Sequence, residues 1–388
     1  MRGLSGSLGR LKRPHRRAIS TPVPRHGSNS RCEPWPNPPG SDLFRFEETM
    51  SLHRFGSKLI ALIAASATVA VLSGCSSQGA SPTSSAVSLR LGYLPRITHA
   101  SALVALHDGY FTKQLGPQVN FTANPFSRGT EEVTALLSGQ LDAAYVGPNP
   151  AFNAWQKSGG KAIKIISGAA SGGTSMVVKP DIKTAADLKG KTVADPALGG
   201  TQDVSLRDWL ARNGLKTNIQ GGGDVSVKPT SPESAIVQQF LTNQIAGAID
   251  SAPFDVQMIK AGGVRLWSDP NTITVLVVRQ EFLAAHPDAV AGLLRAQAEA
   301  TERIATDRSG AAQSANAALA KDLGKGLEPD VLAASFEETT YTNDPGMASL
   351  RDQVTKTVAI GLLKPLDISG LYEPGPLNKV LAEPASRR

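Results

Sequence analysis

From Ser88 onward, short apolar runs of strand character alternate with stretches whose apolar positions recur at helical spacing. That alternation predicts βαβ units and mostly parallel sheets. Strands are expected at Leu89–Tyr93, Val119–Thr122, Ala143–Val146, Ile163–Ser167 and Ser175–Lys179, with helices at Ala100–Asp108, at Glu131–Ser138 and from Ala151. A second series follows: a short helix at Ala185–Leu188, strands at Thr192–Ala194, Val225–Val227 and Ala248–Asp250, and helices at Asp203–Asn213, at Ser234–Thr242 and after Pro253. After a strand at Ile273–Arg279, the remainder is expected to be helical, at Ala289–Ala305, Ala311–Lys321, Pro329–Glu338 and Met347–Ile360.

The two series echo each other. Leu137-Ser138-Gly139-Gln140-Leu141-Asp142-Ala143-Ala144 leads into a strand and Gly147-Pro148. Leu241-Thr242-Asn243-Gln244-Ile245-Ala246-Gly247-Ala248 leads into Ile249-Asp250 and Pro253, 104 residues later. A recurring helix–turn–strand–turn unit points to two similar α/β lobes rather than one large sheet.

The charge of the 388-residue chain is unevenly placed. Its formal net charge is +7, yet residues 1–49 carry nine Lys/Arg against four Asp/Glu, and residues 50–74 add Arg54 and Lys58. The stretch 75–388 has equal numbers of basic and acidic residues, which removes the footprint expected of a nucleic-acid binder. Residues 1–49 are rich in Pro, Arg and Ser without an apolar period, so they are expected to be disordered or to belong to an over-extended reading frame that starts in fact at Met50. Residues 50–74 have the form of a signal peptide, with a positive start, an apolar run from Leu59 to Leu72 and small residues at the end. Leu72-Ser73-Gly74-Cys75 resembles the lipobox of bacterial lipoproteins, which implies lipidation at Cys75, a flexible linker over 75–87 and an extracytoplasmic, lipid-anchored protein. The other cysteine is Cys32 in the leader, so a mature chain starting at Cys75 has no partner for a disulfide.

Small and polar residues recur where strands pass into helices. In open α/β sheets ligands sit beyond the carboxyl ends of strands, where helix N-termini offer free N–H groups. In the first series these turns are Arg96-Ile97-Thr98-His99, Ser127-Arg128-Gly129-Thr130, Gly147-Pro148-Asn149 and Ser171-Gly172-Gly173-Thr174. The second series has Gly199-Gly200-Thr201-Gln202-Asp203, Thr230-Ser231-Pro232-Glu233 and Asp250-Ser251-Ala252. Any single turn of this kind is explained by capping; seven in two lobes suggest a cleft between them. Arg96 and Arg128 are the basic residues of these turns, suited to an acidic ligand or to a solvated rim, and His99 is suited to capping or donating a hydrogen bond. No Cys/His/carboxylate cluster has metal-ligand spacing, no phosphate loop and no nucleophile elbow is present, and no cofactor is expected.

Several stretches together resemble the substrate-binding lipoproteins of ABC importers of the nitrate/sulfonate/taurine (aliphatic sulfonate-binding) family. They are Gly92-Tyr93-Leu94-Pro95-Arg96-Ile97-Thr98-His99-Ala100 with Gly109-Tyr110-Phe111, Leu136 through Pro150, Ala186-Asp187-Leu188-Lys189-Gly190-Lys191-Thr192-Val193-Ala194, and Thr201-Gln202-Asp203. The resemblance implies an α/β fold, the type II periplasmic binding protein, with two α/β lobes, a hinge and an interlobe ligand cleft. Crossings are expected near Lys179–Asp181 and Thr272–Thr274, so that lobe 1 comprises 88–180 and 274–388 and lobe 2 comprises 181–273. Carried onto matching turns, the family's ligand contacts fall on Arg96, Thr98, His99, Gly129, Thr130, Asn149, Ser171, Gly172, Thr201, Gln202 and Asp250. Ala246 departs from the pattern by standing where the internal echo has Asp142.

The implied function is extracytoplasmic capture of a small organic anion, such as an alkanesulfonate, taurine or nitrate. A monomer would close its cleft on the anion and deliver it to a membrane permease with ATPase subunits. A neutral or cationic ligand, such as a thiamine-precursor pyrimidine, is the alternative on the same fold. An enzyme is not expected, for want of an acid–base pair.

Overall fold

The computed structural model describes residues 86–384; the leader, the signal peptide and the expected lipidation site Cys75 lie outside them. The strands are β1 (Val87–Tyr93), β2 (Val119–Pro125), β3 (Ala143–Val146), β4 (Ile163–Gly172), β5 (Thr174–Val178), β6 (Thr192–Asp195), β7 (Ser226–Pro229), β8 (Gly247–Ser251), β9 (Val264–Ser268), β10 (Thr272–Arg279) and β11 (Thr339–Tyr341). They form two sheets, ordered β11-β4-β10-β3-β1-β2 and β7-β6-β8-β5-β9, each the centre of one lobe.

Both sheets are buried on two faces, which is why their central strands read as continuous apolar runs. In lobe 1, Leu89, Leu91 and Tyr145 pack with the helices Ala100–His107, Pro287–Thr306 and Arg308–Leu323. On the other face, Val146, Val275 and Val277 pack with the helices Gly129–Leu137, Pro148–Lys157 and Met347–Ala359. Lobe 2 repeats the arrangement on a smaller scale, with Met176, Val193 and Ile249 on one face and Ala194, Phe240 and Met258 on the other. Asp187 of the Asp187-Leu188-Lys189-Gly190-Lys191 stretch is structural: with Thr184 it forms a capping box at the 3-10 turn Ala185–Leu188. Among the described residues, no helix is long and apolar enough to cross a membrane.

The internal echo is a structural repeat. β3 lies parallel to β1 through Leu91↔Ala143, and β8 lies parallel to β6 through Val193↔Gly247. The Asp142 N–H donates to the Arg90 carbonyl at 2.9 Å, and the Ala246 N–H donates to the Thr192 carbonyl at 2.8 Å. Asp142 goes further: its buried carboxylate accepts from the Arg90 backbone N–H and, bidentately, from the Arg90 guanidinium at 2.8 Å. Ala246 keeps the backbone bond and loses the carboxylate clamp.

The sheets are mixed rather than mostly parallel. β10 runs antiparallel to β3 and β4, and β5 runs antiparallel to β8 and β9. These are the strands that enter a lobe through the hinge, so each arrives against the direction of its neighbours. The first crossing also lies earlier than expected. β5 pairs wholly within the second sheet, so the chain leaves lobe 1 at Gly172-Gly173 and not at Lys179–Asp181, and residues 174–180 belong to lobe 2. The return crosses at Asp269–Asn271, which places Thr272 and Ile273 in lobe 1. The short edge strands β9 and β11 and the helices Tyr110–Leu115, Gln280–Ala285 and Pro374–Leu381 are additions to the expected elements.

The two crossings run side by side. The Gly172 N–H donates to the Asn271 carbonyl at 3.0 Å, and the Asp269 N–H donates to the Thr174 carbonyl at 2.9 Å. Gly172 and Gly173 both have positive φ, at 69° and 61°. A Cβ on Gly173 would lie 2.3 Å from Thr339 Oγ1, which is itself buried and bonded to the Ser335 carbonyl. Gly173→Ala therefore loses about 1–3 kcal/mol of stability from backbone strain alone, measured by urea unfolding; an unchanged midpoint would show that the hinge tolerates a side chain.

Candidate functional site

Between the lobes is a cavity of about 30 Å³, room for one or two water molecules. Arg96, Thr98, His99, Gly129 and Thr130 line it from lobe 1, and Thr201, Gln202 and Glu233 line it from lobe 2. Helices begin on both sides. Gly129–Leu137 starts at the cavity wall, Thr201–Arg212 starts opposite, and Glu233–Leu241 opens with the glutamate itself. Their N-terminal N–H groups give the cavity a positive partial charge at several points.

Arg96 is held on the extended residue before the turn Ile97–His99 and is 5% exposed. Its guanidinium pairs across the cleft with Glu233, which is 6% exposed. The pair joins two residues 137 positions apart in sequence and binds one lobe to the other. His99 Nδ1 accepts from the Leu94 N–H at 3.2 Å, which fixes the tautomer with the hydrogen on Nε2. Burial, reinforced by the Arg96 charge, pushes its pKa well below the ordinary value, so the ring is neutral.

Carboxyl groups surround Arg96. Glu132 is fully buried and neither carboxyl oxygen has a hydrogen-bond partner. Asp250, also fully buried, accepts from the Ser251 N–H at 2.8 Å through Oδ1, while Oδ2 is without a partner. Burial raises both well above the ordinary carboxyl pKa, with Arg96 working in the opposite direction. At Asp250, the charge of Glu233 adds to the upward shift.

The loop that presents Thr201 and Gln202 is anchored from beneath. Asp203 accepts from the Gly199 N–H at 2.9 Å and from Arg207 Nε at 2.6 Å, with both side chains buried. Gln202 Nε2 donates to Ser251 Oγ at 2.9 Å, and Ser251 Oγ in turn shares a hydrogen with Thr174 Oγ1 at 2.7 Å. This chain of bonds ties the cavity wall to the first residue after the hinge.

Of the residues expected at the site, Arg96, Thr98, His99, Gly129, Thr130, Thr201 and Gln202 come together on the cavity. Asp250 is buried close enough to Arg96 and Glu233 to feel both charges. Asn149 is buried and turned to Thr357, to which its Nδ2 donates, while its backbone N–H faces Thr201 Oγ1 at 3.5 Å. Ser171 and Gly172 are elsewhere: they line a separate hollow at the hinge with Arg265, Asp269 and Glu338. Arg128 stands at the rim, half-exposed and paired with Glu131. Glu233 and Glu132 are additions. Glu233 lies in a turn whose composition marks it as a helix start, but its partner is set by tertiary structure. Glu132 falls within a helical pattern and carries no sequence mark of its burial. Among the described residues, no three His, Cys, Asp or Glu side chains are grouped to hold a metal ion.

Comparison with known proteins agrees with the two-sheet α/β fold. The model of the NMT1-like family matches residues 83–320. A protein of Brucella abortus (strain 2308) named as a binding protein is 26% identical over 242 residues, covering 56% of this chain and 72% of its own length. The taurine-binding periplasmic protein of Escherichia coli K12 is 28% identical over 208 residues, covering 52% of this chain and 62% of that protein. Among solved structures, the alkanesulfonate-binding protein of Xanthomonas axonopodis pv. citri, bound to MOPS, has a TM-score of 0.63 at 20% identity, covering 74% of this chain and 99% of that one. The fold is that of the periplasmic binding proteins, and these relatives are named for binding, one for binding taurine and one for binding an alkanesulfonate.

The raised carboxyl groups set a pH dependence. Glu132 and Asp250 keep a proton in the folded protein where the unfolded chain has lost it, so their contribution to stability falls as pH rises above the ordinary carboxyl range. Glu132→Gln and Asp250→Asn, which keep the shape and cannot ionise, should gain thermal stability relative to wild type between pH 5 and pH 8. A difference that stays constant or shrinks over that range would mean that these carboxyls are ionised in the fold.

Proposed function

The chain belongs to the NMT1-like family, and we propose that it is the solute-binding component of an ABC importer that closes its two lobes on a small organic anion. The observation that carries this reading is Arg96, a buried guanidinium of lobe 1 that meets lobe 2 inside the cavity. A guanidinium binds a sulfonate or carboxylate through a charge-assisted fork, and the surrounding helix N-termini favour the same sign of charge. Thr98, Thr130, Thr201 and Gln202 add hydroxyl and amide groups from both lobes. A ligand that touches both lobes has higher affinity for the closed form and shifts the population toward it. The taurine-binding and alkanesulfonate-binding relatives support a sulfonate-like anion.

In this reading the mature protein is a monomer tethered outside the membrane through a lipid on Cys75. It hands its ligand to a permease driven by ATPase subunits and catalyses no reaction. Asn149, Ser171 and Gly172 act in positioning and at the hinge, and the residues of the cavity wall contact the ligand. A second reading, a neutral or cationic ligand, is favoured by the carboxyls of Glu132, Glu233 and Asp250 around Arg96.

A thermal-shift panel of ethanesulfonate, 2-aminoethanesulfonate, nitrate and an aminopyrimidine separates the two. A ligand present at about 100 times its Kd stabilises by about 2.7 kcal/mol. At least one of the two sulfonates is expected to shift the wild type, and Arg96→Gln, folded by circular dichroism, is expected to lose the shift. A shift by the pyrimidine with none from any anion would establish the second reading instead.

A further inference from the structure

We infer that Glu233 decides which acids the cleft accepts: it admits a small acid that also carries a protonated amine and turns away one with only the negative group. This rests on the proposed capture of an acidic ligand at Arg96 and names its chemical class.

The starting point is that Arg96 already has an anion. Glu233 occupies its guanidinium from the opposite lobe, with both side chains more than nine-tenths buried. A ligand acid that takes Arg96 must take it from Glu233. Breaking a buried pair by removing one partner leaves the other as an uncompensated buried charge, which is strongly unfavourable. Among the described residues that line the cavity, no other cation is free to take the place of Arg96 beside Glu233. His99 lines the same cavity as a neutral ring, and Arg128 is turned to Glu131 at the rim. The other titratable groups near Arg96, Glu132 and Asp250, are carboxyls and supply no positive charge.

A ligand that brings its own cation resolves it. Its acidic group takes Arg96 while its ammonium takes Glu233, so two ion pairs replace one and the cleft stays balanced. Because Arg96 and Glu233 are in direct contact before exchange, the two charged groups of the ligand need only a short spacer to reach both. A simple anion makes the first pair and strands Glu233.

Titration calorimetry of the whole protein with 2-aminoethanesulfonate and ethanesulfonate, which share the acidic head and differ in the amine, tests this. Wild type is expected to prefer the amine-bearing sulfonate by at least about tenfold, a difference of about 1.4 kcal/mol. In Glu233→Gln the preference is expected to collapse, with ethanesulfonate binding tighter than to wild type, while Glu233→Asp keeps the preference. Equal affinities in wild type, or a preference that survives Glu233→Gln, would overturn the role of Glu233 and leave anion capture standing. Binding of neither sulfonate to wild type would overturn both. Should Glu233→Gln fail to fold, the wild-type preference and its retention in Glu233→Asp decide the question.

Discussion

A guanidinium and a carboxylate that meet inside a protein must do so in good geometry, because removing two charges from water costs several kcal/mol for each. Arg96 and Glu233 meet in this way, and they come from different lobes. The lobes can come together because each charge finds the other, and neither is satisfied by its own lobe. The neighbouring carboxyls obey the same constraint in a different way. Glu132 and Asp250 have no cation of their own, so burial holds them neutral. The cross-lobe pair therefore sits beside two carboxyls that burial pushes toward the protonated form.

The fold exists to bring those groups to one place. Helices that start at the ends of strands point their N–H groups into the gap, and the Asp203–Arg207 pair keeps the Gly199–Gln202 loop in position. The hinge has the opposite requirement. Gly172 and Gly173 take backbone conformations open to glycine, and the two crossings are hydrogen-bonded to each other. Arg265 of lobe 2 pairs with Glu338 of lobe 1 behind the hinge, which adds a second charged tie outside the cavity. Closure by a ligand is then a competition in which the ligand must make contacts better than those the lobes make with each other.

Much of the fold was legible because the apolar runs of both sheets are local signals. Leu89–Tyr93 and Ile273–Arg279 read as strands because their lobe interiors are buried on both faces. The strand at Ser175–Lys179 was equally visible, but its sheet was not: membership depends on pairing with β8 and β9, more than 70 residues away. The crossing was therefore expected after it instead of before it. The candidate site divides along the same line. Arg96, Thr98, Gly129, Thr201 and Gln202 follow from the rule that ligands sit at strand ends, which is a statement about local sequence. The partner of Arg96 is a tertiary fact, and no spacing announces Glu233. Ser171 and Gly172 carry the composition of a binding turn because a hinge needs small residues too.

In the proposed mode of capture, solute enters between the lobes at Arg96 by displacing Glu233. A crystal structure of the protein grown with 2-aminoethanesulfonate tests it most directly. The sulfonate is expected on the Arg96 guanidinium, the amine on the Glu233 carboxylate, and the direct contact between the two side chains broken. A ligand bound elsewhere, or bound in the cleft with the Arg96–Glu233 pair intact, would contradict it.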